Sequence, residues 1–284
     1  MNYLFHILTM IGIVLPNILG YNLIFGRGKI LHFGPIAVSL MSAYAIFLTQ
    51  RATGSYLLAI PAGLAASLFI SAFFAWLALR LDSDALGILT IAMHLALLAV
   101  VLNWISLTRG ALGIPQIPRM QGLSTQPAFT FIAITIGVLW AFLMHHIHRS
   151  GLGRQLSALA ENRAHAEALG ISRMRVILSA FLISGIGAFF SAFLYPQYIS
   201  LLHPNDYQFK DLIFYVMCVV AGGPGSVRGV ALATALLTCL QEGIRFLPLP
   251  YSLIGPVRLI VFGCILIVAV YIRRREIFPM QRTV

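Results

Sequence analysis

Acidic side chains are scarce in this chain: 8 Asp and Glu among 284 residues, against 19 Lys and Arg. Charged residues of both signs make up only 10% of the sequence, while 60% is hydrophobic. A soluble domain carries about 25% charge and about 45–50% apolar residues, so water is excluded as the main solvent of this fold. The acids are too few for a carboxylate pair in a site, and no Ser/His/Asp or Cys/His arrangement emerges. The chain is therefore not expected to be an enzyme. Cysteine is limited to Cys218, Cys239 and Cys264, each within an apolar run and none at metal-ligand spacing. That excludes a disulfide framework and leaves them as expected buried small hydrophobes. A basic n-region and an A-x-A cleavage site are missing from MNYLFHILTMIGIVLPNILG, which is expected to be a retained span. Basic runs interleaved with aromatics are missing too, so the net charge of +11 is not read as nucleic-acid binding.

Long apolar runs are plentiful. They fall at about 3–25, 30–49, 56–79, 85–107, 128–147, 176–198, 209–222, 229–245 and 252–272. A bilayer core is about 30 Å thick and takes about 20 apolar residues per helix. The pattern predicts an all-α polytopic transmembrane bundle of about nine spans (eight to ten), one domain over 1–284. The runs 209–222 and 229–245 are the weakest, the first opened by Lys210 and Asp211, the second containing Gln241, Glu242 and Arg245 near its end. Pro16, Pro35 and Pro61 are expected to kink spans. Small-residue patches at Gly63, Ala66 and Ser67, and at Gly185, Ala188 and Ala192, suit close helix packing. Basic residues collect in cytoplasmic loops. With 148–175 placed inside, only Arg51, Arg109, Arg119, Lys210, Arg245 and Arg258 of the 19 Lys and Arg fall outside. The N-terminus is then outside and the C-terminus cytoplasmic.

The 148–175 connection holds AENRAHAEALGIS at 160–172, the stretch least like its surroundings. Leu152, Leu156, Leu159, Arg163 and Ala166 follow three- and four-residue steps and share one helical face. Ala favours helix, and Gly170 suits the left-handed residue that ends one. The expected product is a short amphipathic helix along the membrane surface. Its apolar face is thin, and Glu161 and Glu167 would be repelled by anionic lipid. Docking into a partner's groove fits better than lipid binding.

ENRAHAEALGIS resembles the cytoplasmic coupling loop of ATP-driven importer permeases, and is most similar to the second permease of the branched-chain amino acid importers, a group with urea and short-amide relatives. Three further blocks agree in order: NLIFGRGKILHFGPIAVSLMSAY at 22–44, LNWISLTRGALGIPQIPR at 102–119 and VVAGGPGSVRGVALATALL at 219–237. Together they cover nearly the whole chain. The usual Gly-His pair after the first loop is replaced by Phe33–Gly34–Pro35, with His32 displaced. The resemblance implies a multi-pass cell (inner) membrane permease subunit for a small polar solute such as a branched-chain amino acid. It implies a second homologous permease, two cytoplasmic ATPase subunits and a periplasmic or extracellular solute-binding protein as partners. ATP would be bound by the ATPases, with no cofactor in this chain. Glu161, Asn162, Arg163, Glu167, Leu169 and Gly170 would form the ATPase contact.

Other constellations are weaker. GGPGSVRG at 222–229 lacks the G-K-[S/T] of a phosphate loop. Its Gly222, Gly223, Gly225 and Gly229 read as a tight helix connection. His145 and His148, in HHIH, have no carboxylate or Cys nearby and read as interfacial. His94 sits mid-span, where an ionisable residue faces the bundle interior or a cavity. Glu242, Arg245 and Arg258 are candidates for a gate at the pathway mouth, with Glu242 and Arg245 spaced to pair. An ion-coupled secondary transporter is the alternative function. That class places ionisable groups or broken helices near the midplane, and only His94 qualifies here. Branched-chain amino acid, urea and short amide all stay open as substrates.

Overall fold

The protein is described by a computed structural model covering residues 2–120, 122, 125–244, 257 and 260–271. Helix α1 (Asn2–Tyr21) runs on into a π-helical turn, Asn22–Arg27. Then come α2 (Pro35–Thr53), α3 (Tyr56–Arg80), α4 (Ser83–Asn103) and the single turn α5 (Ile105–Thr108). A 3₁₀ turn, Gly110–Leu112, leads to the two-residue strand β1 (Ile114–Pro115). Helices α6 (Gln126–Arg149), α7 (Gly151–Glu161), α8 (Arg163–Ala168) and α9 (Arg173–Ile199) follow. Strand β2 (Leu201–Leu202) pairs antiparallel with β1, Ile114 opposite Leu202. A 3₁₀ turn, Pro204–Tyr207, precedes α10 (Phe209–Gly222), α11 (Val227–Gly243) and α12 (Ile260–Tyr271).

Local chemistry sets these boundaries. The Ser55 hydroxyl accepts from the Leu57 N–H at the start of α3, and the Ser226 hydroxyl accepts from the Gly229 N–H at the start of α11. Gln208 and Asp211 form a reciprocal capping box on α10. Pro35 does not kink a span, contrary to expectation. It is the first residue of α2, where the missing N–H costs nothing. Pro16 and Pro61 do lie inside α1 and α3. The run expected to begin at 30 becomes helical only at Pro35, and in the non-helical stretch before it His32 is buried between the rings of Phe74 and Phe181. Irregular backbone of this kind is tolerated within a membrane protein where protein covers it.

Among the described residues, five helices are long and apolar enough to cross a membrane: α1 with its π continuation, α3, α4, α6 and α9. In α1 and α9, 72% and 61% of the apolar stretch is buried, against 28–33% in α3, α4 and α6. The first two are therefore central and the last three peripheral, presenting Phe69, Ile88 and Phe131 outward. Helix α2 packs against α3, α9 and α4 and is buried almost continuously from Pro35 to Phe47. Small residues close these seams. A Cβ on Gly63 would lie 2.1 Å from Ile46 Cγ1, and one on Gly185 would lie 2.4 Å from Ser71 Oγ. The Ser67 hydroxyl donates to the Gly185 carbonyl at 2.6 Å.

Helices α10 and α11 pack on each other and have 14 and 17 residues. At about 1.5 Å per residue, neither reaches the about 30 Å of a bilayer core. Of the cysteines expected to be buried, only Cys218 is; Cys239 and Cys264 are exposed. They sit on outward faces of α11 and α12, where an apolar side chain needs no protein cover if lipid surrounds it. Segments 26–30, 78–83, 148–163, 173–177 and 223–226 gather at one end of the bundle, lining two adjoining clefts. The strand pair, the 104–118 segment, Gln50 and Arg51 gather at the other. The first end carries Arg27, Lys29, Arg80, Arg149, Arg154, Arg163, Arg173, Arg175 and Arg228; the second carries Arg51, Arg109, Arg119 and Lys210. Residues Arg245 and Arg258, assigned to the second end from sequence, lie outside the described residues.

Candidate functional site

At the first end, the segment 148–175 is not one helix. Asn162 adopts an extended conformation (φ −151°, ψ 105°), and its Oδ1 accepts from the His165 N–H at 3.0 Å. Asn competes for backbone hydrogen bonds in this way, so it ends α7 and caps α8. The shared face predicted for Leu152 through Ala166 is broken there. Leu156 is buried, and Leu152 and Leu159 pack beside it against Leu23, Ile24, Ala78 and Ile177. The apolar face of α7 is thus used by the chain itself. Helix α8 is different. Glu161, Asn162, Arg163, Glu167, Leu169 and Gly170 are all exposed, Leu169 to 82%, and only Ala166 is buried. Arg163 Nε donates to Glu167 Oε1 at 2.9 Å. Gly170 has φ +84°, the left-handed conformation expected of it. The Gly170 and Ile171 N–H groups donate back to Glu167 and Ala166, closing the helix. A Cβ at Gly170 would meet nothing within 4 Å. The result is a short rigid projection carrying the six residues singled out from sequence.

The glycine-rich connection lies beside it. Gly223 (φ +95°) and Gly225 (φ +82°) make the turn, as expected for glycines supplying positive φ. Gly222 and Gly229 serve a close approach: a Cβ on Gly229 would lie 1.9 Å from the Gly222 oxygen. Two residues missed by sequence reasoning hold the turn. The Gly225 N–H donates to Asn22 Oδ1 at 2.9 Å, and the Gly225 carbonyl lies 3.1 Å from His148 Nδ1. Arg27 Nε donates to the Gly153 carbonyl at 3.4 Å. The π turn, the glycine connection and the start of α7 therefore touch one another. No local sequence signal marks the π turn. A polar cleft of about 410 Å³, lined by Arg27, Lys29, Ser157, Glu161 and Pro224 among others, opens between them.

At the second end a cavity of about 480 Å³ lies among α1, α2, α9, α10, α11, α12 and the Pro204–Tyr207 turn. Its floor is hydrogen-bonded: Asn17 Nδ2 donates to Ser39 Oγ at 2.7 Å and to Tyr215 Oη at 3.3 Å, and Ser191 Oγ donates to the Ile13 carbonyl at 2.6 Å. Its upper wall carries Asp206, Lys210, Gln241 and Glu242. Glu242 is buried, with its Oε2 3.5 Å from His6 Nε2, and its backbone carbonyl accepts from the Tyr3 hydroxyl at 2.8 Å. His6 Nδ1 lies 2.7 Å from Tyr198 Oη, which also accepts from Gln126 Nε2 at 3.0 Å. Glu242 was spaced from sequence to pair with Arg245, which lies outside the described residues; among the described residues His6 lies within ion-pair range of it. Burial pushes the Asp206 carboxyl above its usual range, opposed by His203 and Lys210. His94 is fully buried on α4 but does not line this cavity.

Residues 3–270 match the family described as branched-chain amino acid transport system permease component. The high-affinity branched-chain amino acid transport system permease protein LivM of Escherichia coli (strain K12) is 29% identical, over 97% of this chain and 69% of that protein. The probable branched-chain amino acid transport permease protein LivM of Methanocaldococcus jannaschii is 26% identical, over 74% of this chain and 64% of that protein. The autoinducer 2 import system permease protein LsrD of Photorhabdus temperata is 28% identical, over 51% of this chain and 42% of that protein. No solved structure matches the chain.

Proposed function

This chain belongs to the branched-chain amino acid transport system permease family and is a membrane permease; from that premise we propose how it works and what it carries. It is the translocation subunit of an ATP-driven importer for a small polar solute such as a branched-chain amino acid. It pairs with a second homologous permease. Two cytoplasmic ATPase subunits bind the ATP, and an external solute-binding protein delivers the substrate. The chain performs no chemistry itself. The end bearing α7 and α8 is cytoplasmic and the N-terminus external, because basic residues concentrate at the α8 end.

The observation that carries this reading is the α8 projection. It buries only Ala166 over 161–170, exposes the other nine residues, mixed in charge and apolar character, and stands on a helix packed into the bundle. A partner that grips α8 pulls on α7. Helix α7 touches the π turn through Gly153 and Leu156, and the π turn touches the glycine connection through Asn22. Helices α1, α10 and α11, which meet at that junction, also line the cavity at the far end. Motion of the ATPases is thereby linked to the cavity walls by continuous contact. The ATPases bias the bundle only through contacts that differ between its two packings.

The test is reconstitution into vesicles with the paired permease, ATPases and binding protein. Solute uptake is expected to follow ATP and to stop with an ATPase-dead partner. Uptake driven by an ion gradient without any ATPase would overturn the reading in favour of a secondary transporter.

A further inference from the structure

The cavity at the end opposite α8 has features that packing does not explain. Its volume of about 480 Å³ falls within the about 300–1,000 Å³ typical of small-molecule sites. Two of its lining hydroxyls, Tyr207 Oη and Thr238 Oγ1, are buried and have no hydrogen-bond partner among the described residues. A buried hydroxyl left unpaired is unfavourable by itself, and neither hydroxyl is satisfied by the described residues. Beside them stand charges of both signs: the Asp206 carboxylate, in the turn before α10, and the Lys210 ammonium four residues on, with Asp211 and the buried Glu242 also on the wall. The Asp206 side chain accepts no hydrogen bond among the described residues, unlike Asp211, which caps α10. Deeper in, the walls are apolar: Val14, Ile36 and Phe214.

We propose that this cavity is a recognition site for a zwitterionic amino acid within the permease protomer itself. Lys210 pairs with the α-carboxylate and Asp206 with the α-ammonium. The Tyr207 and Thr238 hydroxyls complete the polar side, and a branched apolar side chain lies against Val14, Ile36 and Phe214. The floor at Asn17, Ser39 and Tyr215 stops the solute until the bundle repacks. Charge of both signs at one end and hydrocarbon at the other match an amphiphilic zwitterion. A neutral amide or urea would leave both charges unpaired. The proposal rests on the permease reading above and sharpens it by naming the residues that read the solute.

Labelled L-leucine is titrated into the assembled permease–ATPase complex in the absence of solute-binding protein. Two analogues are titrated alongside: 4-methylpentanoate, which lacks the ammonium, and 3-methylbutylamine, which lacks the carboxylate. Wild type is expected to bind leucine at least about tenfold more tightly than either analogue, the worth of one charge-assisted contact. D206N is expected to weaken leucine about tenfold and leave 4-methylpentanoate unaffected. K210Q is expected to weaken leucine similarly and leave 3-methylbutylamine unaffected. That crossed pattern does not arise from a merely structural role. If D206N assembles poorly, D206E and T238V carry the test per assembled complex, with D206E retaining leucine binding and T238V weakening it severalfold. Equal binding by all variants, or equal loss of all three ligands, overturns the site. Leucine uptake by the complete importer, measured in parallel, separates the two readings. Uptake without the crossed pattern removes this inference alone, whereas absence of both uptake and binding removes the amino-acid reading as well.

Discussion

The two ends of this bundle are built from different kinds of contact. Around the glycine connection, backbone packs directly on backbone, Gly222 on Gly229 and Gly26 against Gly225, with the Asn22 and His148 side chains tied to the Gly225 backbone. Around the cavity, side chain meets side chain: His6 with Glu242 and Tyr198, and Asn17 with Ser39 and Tyr215. Backbone contacts at van der Waals range have one geometry and transmit displacement. Side-chain hydrogen bonds have alternative partners and can be exchanged. One end is suited to receiving a push and the other to opening and closing around a solute. Helices α1, α10 and α11 join them, so a rigid end and an adjustable end share the same rods.

The largest effect is expected where the rigid end is broken. In G229V the new Cβ would fall 1.9 Å from the Gly222 oxygen, which is backbone and cannot rotate away. Overpacking of this kind costs about 1–3 kcal/mol or more. Loss of monodisperse protein in size-exclusion chromatography, or a sharply lowered Tm, is the expected result. A G229V protein with the wild-type melting curve would show that α10 and α11 do not cross so closely. At the adjustable end, T238V swaps a hydroxyl that has no partner among the described residues for a methyl and is expected to leave the Tm near wild type.

G170V separates strength from function within the α8 end. Its φ of +84° disfavours a β-branched residue by about 1–2 kcal/mol. The penalty is local, because a Cβ there meets nothing and α8 buries only Ala166. The bundle is expected to melt near wild type while ATPase co-purification and uptake are lost. Wild-type values for both would remove α8 as the ATPase contact.

Acid is expected to act at the cavity end through Asp206, which lies in the Pro204–Tyr207 turn. Burial raises its pKa above the ordinary value of 3.8, so the folded state binds the proton more tightly than the unfolded one and stability rises as pH falls towards that range. D206N is therefore expected to raise the Tm slightly at pH 7 even as it weakens leucine binding, and to flatten the acid limb of pH-dependent thermal melts. An unchanged acid limb in D206N would mean that the carboxyl is not desolvated.

Much of this architecture was legible because the solvent is lipid. Apolar length alone places α3 within a residue of 56–79 and α10 on 209–222. Gly170 and the glycine turn were readable from backbone conformation, which no other residue adopts as easily. What periodicity could not supply was the inward face. Helices that are apolar all round carry little directional signal, so Cys239 and Cys264 were expected inside and are out. Helix α2 teaches the same point: it is not among the five most apolar spans, yet it is one of the most buried. The break at Asn162 and the π turn at Asn22 depend on one capping bond and one tertiary contact, respectively. Neither leaves a periodic trace. The cavity draws on seven elements far apart in sequence, and no spacing rule assembles it.

The smallest effect on stability carries the sharpest contrast. Arg163 and Glu167 are four apart on α8, 2.9 Å in contact, with side chains 60% and 42% exposed. Such a pair contributes about 0.2–0.5 kcal/mol, below what a melting curve of a membrane protein resolves. R163A and E167A are therefore expected to leave the Tm unchanged. If the pair served only the fold of α8, ATPase affinity would be unchanged as well. If the projection is read by a partner, each variant removes a charge from a surface six residues wide, and co-purified ATPase is expected to fall several-fold with no thermal signature. The double variant then decides the role of the pair. A loss equal to either single variant means the ATPase reads the two charges as one unit, whereas the product of the two losses means it contacts them separately.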